Sequence, residues 1–149
     1  MINQCLHEDI GTEKMQNNFS DEATIQFYLD VESALARAQS KLKIIPKEAG
    51  IKITEASNLS WLNWETLKKR TQIVGYPILP LVEQLSLSVE DGYGQYCHWG
   101  ATTQDIMDTA DVLQIRKGLD LLSNDLNAIA LALANIVKKY KDTPMAGRT

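Results

Sequence analysis

The residues able to do chemistry are concentrated in one stretch, His98-Trp99-Gly100-Ala101-Thr102-Thr103-Gln104-Asp105-Ile106-Met107-Asp108-Thr109-Ala110. Thr102 is placed to cap a helix, with Asp105 three residues on as the capping-box acid; Thr103 is the alternative cap. The free N–H groups of a first helical turn, together with the positive end of the helix dipole, attract a carboxylate or phosphate. Gly100 lets a ligand or another backbone segment come close. His98 adds a titratable group and Gln104 an amide, giving the loop the parts of an anion-binding site with a proton carrier. His98 is therefore the candidate catalytic residue, with Thr102, Thr103 and Gln104 as candidate substrate ligands. An ordinary threonine cap beside a structural histidine accounts for the same residue types.

The element that must position these groups follows directly. Ile115, Leu119, Leu122, Leu126, Ile129, Leu133, Ile136 and Tyr140 alternate at spacings of four and three, a heptad seam. Carried backwards, the seam meets Val112, then Asp108 and Asp105, so a face made for packing turns acidic at its N-terminal end. Carboxylates on a seam need a partner or a task. The helix predicted over about 103–141 has a length on the order of 55 Å. Leu126 to Val137 is apolar almost all round, broken only by Asn127 and Asn135, so partners must surround it: later helices, other subunits or both.

The rest of the chain reads as shorter helices. Met1 to Phe19 is polar and unpatterned, an expected arm on the surface or on another subunit. Ser20 caps a helix running through Leu42, with a stripe of Ile25, Tyr28, Leu29, Leu35 and Leu42. Glu32 falls inside that stripe, where it either pairs with a buried cation or carries its end out to solvent, the commoner outcome. Pro46 opens a brief helix through Ala56, and Asn63 caps another through about Ile73. Trp61 and Trp64 read as core or interface aromatics. Gly75 to Pro80 breaks the chain before a helix carrying Leu81, Leu85 and Val89, and Glu90 to Gly94 is a turn. No alternating run bounded by tight turns marks a strand. The expected class is all-α: an N-terminal helical domain over 1–101, then over 102–149 the start of a helical bundle. The tail from Asp142 to Thr149 adds no closing element and reads as a cut end, with Arg148 either a surface ion-pair residue or an anion ligand.

Composition narrows the class. The 149 residues are 44% hydrophobic and 23% charged, which is ordinary for a folded domain with a real core. A net charge of −4 and a pI near 5.1 argue against nucleic acid as a partner. No apolar run is long enough for a bilayer span, and the start lacks a secretory pattern, so a cytoplasmic protein with no membrane partner is expected. Cys5 and Cys97 have no framework spacing, which fits a reducing compartment. Cys5, His7, Cys97 and His98 lack zinc-site spacing, so no metal is expected.

The stretch from His98 to Asp105 followed by Asp108-Thr109-Ala110, and the tail Thr143-Pro144-Met145-Ala146-Gly147-Arg148-Thr149, resemble two motifs of the fumarase/aspartase superfamily. Phe19-Ser20-Asp21-Glu22-Ala23-Thr24 with Val31-Glu32-Ser33-Ala34-Leu35-Ala36, and Gly75-Tyr76-Pro77 with Leu79-Pro80-Leu81-Val82, look like the 3-carboxy-cis,cis-muconate cycloisomerase branch. The resemblance covers nearly the whole chain. It implies a homotetramer whose long helices form one bundle, with active sites shared between subunits. It also implies chemistry on dicarboxylates or tricarboxylates without metal or organic cofactor. A proton leaves beside a carboxylate, and donors must stabilise the charge that builds there. By the same resemblance Thr102 and Thr103 match the hydroxyl pair that binds substrate carboxylate, with His98 and Gln104 as neighbours. Arg148 and Thr149 match the second motif, whose threonine contacts substrate.

Several readings stay in play. The favoured one is the N-terminal part of a cycloisomerase of protocatechuate degradation, the beta-ketoadipate pathway. The family's mobile serine loop falls downstream of Thr149, so the chain alone is expected to be inactive. Adenylosuccinate lyase shares the His-x-Gly-x-Thr pattern, but usually opens with an Arg-Tyr pair and carries His-Asp about where Tyr76 and Pro77 stand. A purely structural helical oligomerisation module would explain the seam but not the polar loop at its entrance.

Overall fold

The computed structural model describes residues 11–147. Among the described residues six α-helices carry the fold: α1 (Glu13–Asn18), α2 (Asp21–Lys41), α3 (Lys47–Ala56), α4 (Trp64–Val74), α5 (Ile78–Ser88) and α6 (Thr103–Tyr140). Short 3₁₀ turns at Leu59–Trp61 and Glu90–Tyr96 complete the order, and there is no strand among the described residues. No described helix is long and apolar enough to cross a membrane.

Local chemistry sets the helix starts. Ser20 Oγ accepts from the Ala23 amide at 3.1 Å to begin α2, and Asn63 Oδ1 accepts from Thr66 at 2.9 Å to begin α4. Pro46 precedes the first residue of α3, its fixed φ suited to that position. Helix α2 is the central rod, packed against both α3 and α6. The core gathers Ile25, Tyr28 and Leu29 of α2, Ile53 of α3, Leu67 of α4, Leu81 and Leu85 of α5, and Ile106 and Ala110 of α6. Leu29, Leu81 and Leu85 are fully buried, each contributing about 1.5–3 kcal/mol relative to exposure. Trp61 is half-buried, its Nε1 donating to Ala56 O at 2.6 Å, while Trp64 is exposed.

Three expectations need correction. Leu42 does not belong to the α2 stripe: it is the C-cap and is 70% exposed. It lies past Ala36, the last residue the helix buries, so although its backbone is still helical the spacing no longer selects a core face. The segment before Phe19 is not wholly unpatterned, because Glu13–Asn18 is a short helix capped by Thr12. Part of its hold on the fold is polar, and that part is invisible to hydrophobic periodicity. Buried Asn18 donates from Nδ2 to Gln114 O at 2.9 Å; Gln114 Nε2 donates back to Asn18 O and to Thr24 Oγ1, both at 3.0 Å. The third concerns Glu32, which does not reach solvent: its side chain is 1% exposed.

Helix α6 has two faces. Ile106, Ala110, Gln114 and Gly118 are buried against the chain's own helices. The predicted seam is bare, with Ile115, Leu119, Leu126 and Leu133 all more than half exposed.

Candidate active site

The entrance to α6 is built by close packing behind it. Gly94 lies so near α5 that an added Cβ would sit 1.9 Å from the Ser86 carbonyl oxygen, so only glycine lets the Glu90–Tyr96 turn seat there. The Tyr96 and Trp99 rings follow, their centroids 5.8 Å apart. Gln39 of α2 donates from Nε2 to Trp99 O at 2.6 Å, tying the loop to the central rod. His98 and Gly100 both adopt left-handed backbone, at φ 55° and 68°. Gly100 does so without strain, whereas His98 carries a cost on the order of 1–3 kcal/mol.

The predicted capping box forms. Asp105 Oδ2 accepts from the Thr102 N–H at 3.1 Å, and the Thr102 side chain takes the reciprocal position at the Asp105 amide. One seam carboxylate is thereby a cap. The other, Asp108, accepts from Gln104 Nε2 at 2.5 Å. The box occupies the Thr102 amide, so the anion-binding N–H groups are those of Thr103 and Gln104, which have no acceptor among the described residues. Thr102 still has a hydroxyl hydrogen to donate.

The structure therefore brings His98, Thr102 and Thr103 together at one loop–helix junction, with Thr102 exposed and Thr103 partly so. Gln104 is exposed and its amide is engaged with Asp108. Arg148 and Thr149 lie outside the described residues, as do Cys5 and His7.

One functional group escaped sequence reasoning as a member of the site. His98 Nδ1 lies 2.5 Å from Glu32 Oε1, across sixty-six positions of sequence. The hydrogen bond to Glu32 is the main cause that raises the His98 pKa above its ordinary value; burial opposes it, and the charges of Glu32 and Asp105 add to the rise. The signal was available, since a carboxylate inside an apolar stripe demands a partner, but only tertiary structure names it. Burial pushes the thiol of Cys97, the neighbour of His98 in the loop, up to about 11, so it stays protonated near neutral pH.

The junction is open, because Thr102, Gln104 and Asp105 all face solvent. A separate groove of about 450 Å³ lies between α2 and α4, lined by Tyr28, Trp64, Leu67 and Pro77, and shares no residue with the junction.

Over residues 8–149 the chain matches the family model described as lyase. It belongs to the fumarase/aspartase superfamily of lyases. Among relatives in this superfamily, trans-aconitate decarboxylase 1 of Mycosarcoma maydis is 42% identical over 97% of this chain and 29% of its own length. The crystal structure of a fumarate lyase from Mesorhizobium sp. BNC1 superposes with a TM-score of 0.83 at 52% identity, covering 92% of this chain and 32% of that one. The 3-carboxy-cis,cis-muconate lactonizing enzyme of Pseudomonas putida gives a TM-score of 0.90 at 36% identity, covering 99% of this chain and 34% of that one. The chain thus spans about a third of the length of the superfamily members it matches. Enzymes with three different names share this third, so it carries features common to them.

Proposed function

We propose that the whole protein is a cofactor-independent, cytosolic cycloisomerase acting on 3-carboxy-cis,cis-muconate, in which one carboxylate adds across a double bond of the same molecule to form a lactone. The observation that carries this reading is the junction of His98, Thr102 and Thr103 with two free amides at the N-terminus of α6. Hydroxyls, amides and the helix dipole converge there on the place a carboxylate would occupy, where negative charge builds as the attacking oxygen adds to the double bond and is discharged when a proton forms the new C–H bond. The His98 imidazolium, favoured by Glu32, adds positive charge at the same point. The α6 seam assembles the protein as a homotetramer, and residues from other chains close the open side of the site. Arg148 and Thr149 contribute to substrate binding from the segment after α6. By itself the 149-residue chain turns over no substrate.

A second reading has its own support in the 42% identity with trans-aconitate decarboxylase 1. Its substrate, like carboxymuconate, is a small unsaturated tricarboxylate, so the same carboxylate grip serves both. Adenylosuccinate cleavage is supported by 39% identity with the adenylosuccinate lyase of Pyrococcus abyssi but disfavoured by the residues, since this chain carries neither the Arg-Tyr nor the His-Asp pair expected for it. The test is to assay the full-length protein on 3-carboxy-cis,cis-muconate, trans-aconitate and adenylosuccinate. Lactone formation on the first supports the proposal; turnover of only one of the others replaces it.

A further inference from the structure

We propose that Glu32 is a positioning residue for His98: it keeps the ring hydrogen on Nδ1 and so presents Nε2 to a carboxylate docked at the start of α6. The role given to Nε2 rests on the carboxylate site proposed above, whereas the tautomer is independent of it.

Burial supplies the first argument. Glu32 lies on the buried face of α2 with its side chain 1% exposed, among Leu29, Val31 and Ala36. Its Oε1 meets His98, and its Oε2 is buried with no hydrogen-bond partner. A carboxylate in such a place is a poor source of stability, since well-packed apolar residues commonly do as well or better than a buried ion pair. The arrangement makes sense as a device for holding the imidazole.

The second argument is the backbone. His98 is kept at φ 55°, a conformation that non-glycine residues adopt only when their surroundings impose it. The Gln39 bond to Trp99 O imposes it from the next residue, and the Nδ1 contact with Glu32 fixes the ring. Both anchors come from α2, so the central rod sets both the backbone and the side chain of His98.

Proton bookkeeping then follows. A carboxylate only accepts, so Nδ1 carries the hydrogen, and Nε2 has no hydrogen-bond partner among the described residues. The charged groups acting on the ring are Glu32 from α2 and Asp105 from α6, both negative. In the imidazolium, Nδ1–H donates to Glu32 and Nε2–H donates to the docked carboxylate. When the ring releases a proton it is the one on Nε2, because the Nδ1 hydrogen stays in the Glu32 bond.

The experiment is ¹⁵N and ¹³C NMR of histidine-labelled full-length protein, with His98→Asn identifying the resonance. Expected are a neutral ring in the Nδ1–H form and a titration midpoint above the ordinary histidine value of about 6.5. In Glu32→Gln the midpoint falls, and the pH profile of kcat/KM moves the same way with a loss on the order of 10²-fold, the low end of an acid–base contribution. An Nε2–H tautomer in the wild-type protein overturns the proposal, as does a Glu32→Gln protein with unchanged midpoint and profile. Should Glu32→Gln fail to fold, the wild-type tautomer alone decides. If the protein acts on no tricarboxylate, the function reading fails while the tautomer result still stands or falls by itself.

Discussion

The two halves of α6 differ both in composition and in surroundings. Over its first part, Ile106, Ala110, Gln114 and Gly118 are buried against α1 and α2, and polar bonds from Asn18 and Thr24 lock the contact. Over its second part, Leu122, Leu126, Ile129, Leu133, Ile136 and Tyr140 are between 49% and 65% exposed. The chain therefore packs by itself the end of the helix that carries His98 and the threonines. The other end is left uncovered by the described residues. Positioning of the site and closing of the site are separable, and substitutions should affect one without the other.

The largest effect is expected from Leu126→Asp with Leu133→Asp in the full-length protein. Each leucine forfeits about 1.5–3 kcal/mol of burial per copy, enough to dissociate the assembly in sedimentation velocity while the N-terminal helices stay folded. Assembly that survives both changes would remove the role given to the seam. Next comes Leu29→Ala at the centre of the packed region, expected to cost about 2–5 kcal/mol in denaturant unfolding. Asp105→Ala takes away half of the capping box and should cost about 1 kcal/mol, read as a lower unfolding midpoint with assembly intact. The smallest effect is on pH dependence. Because the folded-state pKa of His98 is raised, its protonation favours the folded state; that gain is fully present below the ordinary histidine pKa and fades as pH rises through the raised value. His98→Asn should abolish this part of the pH dependence of the unfolding midpoint.

The same comparison explains what could be read from sequence. Groups that act within a few residues were legible: the Thr102–Asp105 cap, the Asn63 cap, and α6 itself, whose end at Tyr140 lies one residue from the reading. The seam was legible because eight residues repeat one four–three alternation, and exposure leaves that pattern undisturbed. The first half of α6 was less so, since its buried face includes Ala110, Gln114 and Gly118, which no hydrophobic count selects. The Asn18–Gln114 clasp and the Glu32–His98 pair join residues 96 and 66 positions apart, and polar pairs at such separation leave no periodic trace. Glu32 illustrates the limit: its place in an apolar stripe raised the question of a partner, and only the packing of α2 behind the loop answers it.

The measurement that bears most directly on the account is calorimetric binding of tricarballylate, a saturated tricarboxylate, to full-length wild-type protein and to the Thr102→Ala, Thr103→Ala double variant. Hydrogen bonds to a charged group are worth about 1.5–3 kcal/mol, so affinity should fall at least about tenfold with the assembly unchanged. Equal affinity in the two proteins would contradict a carboxylate grip at the entrance of α6.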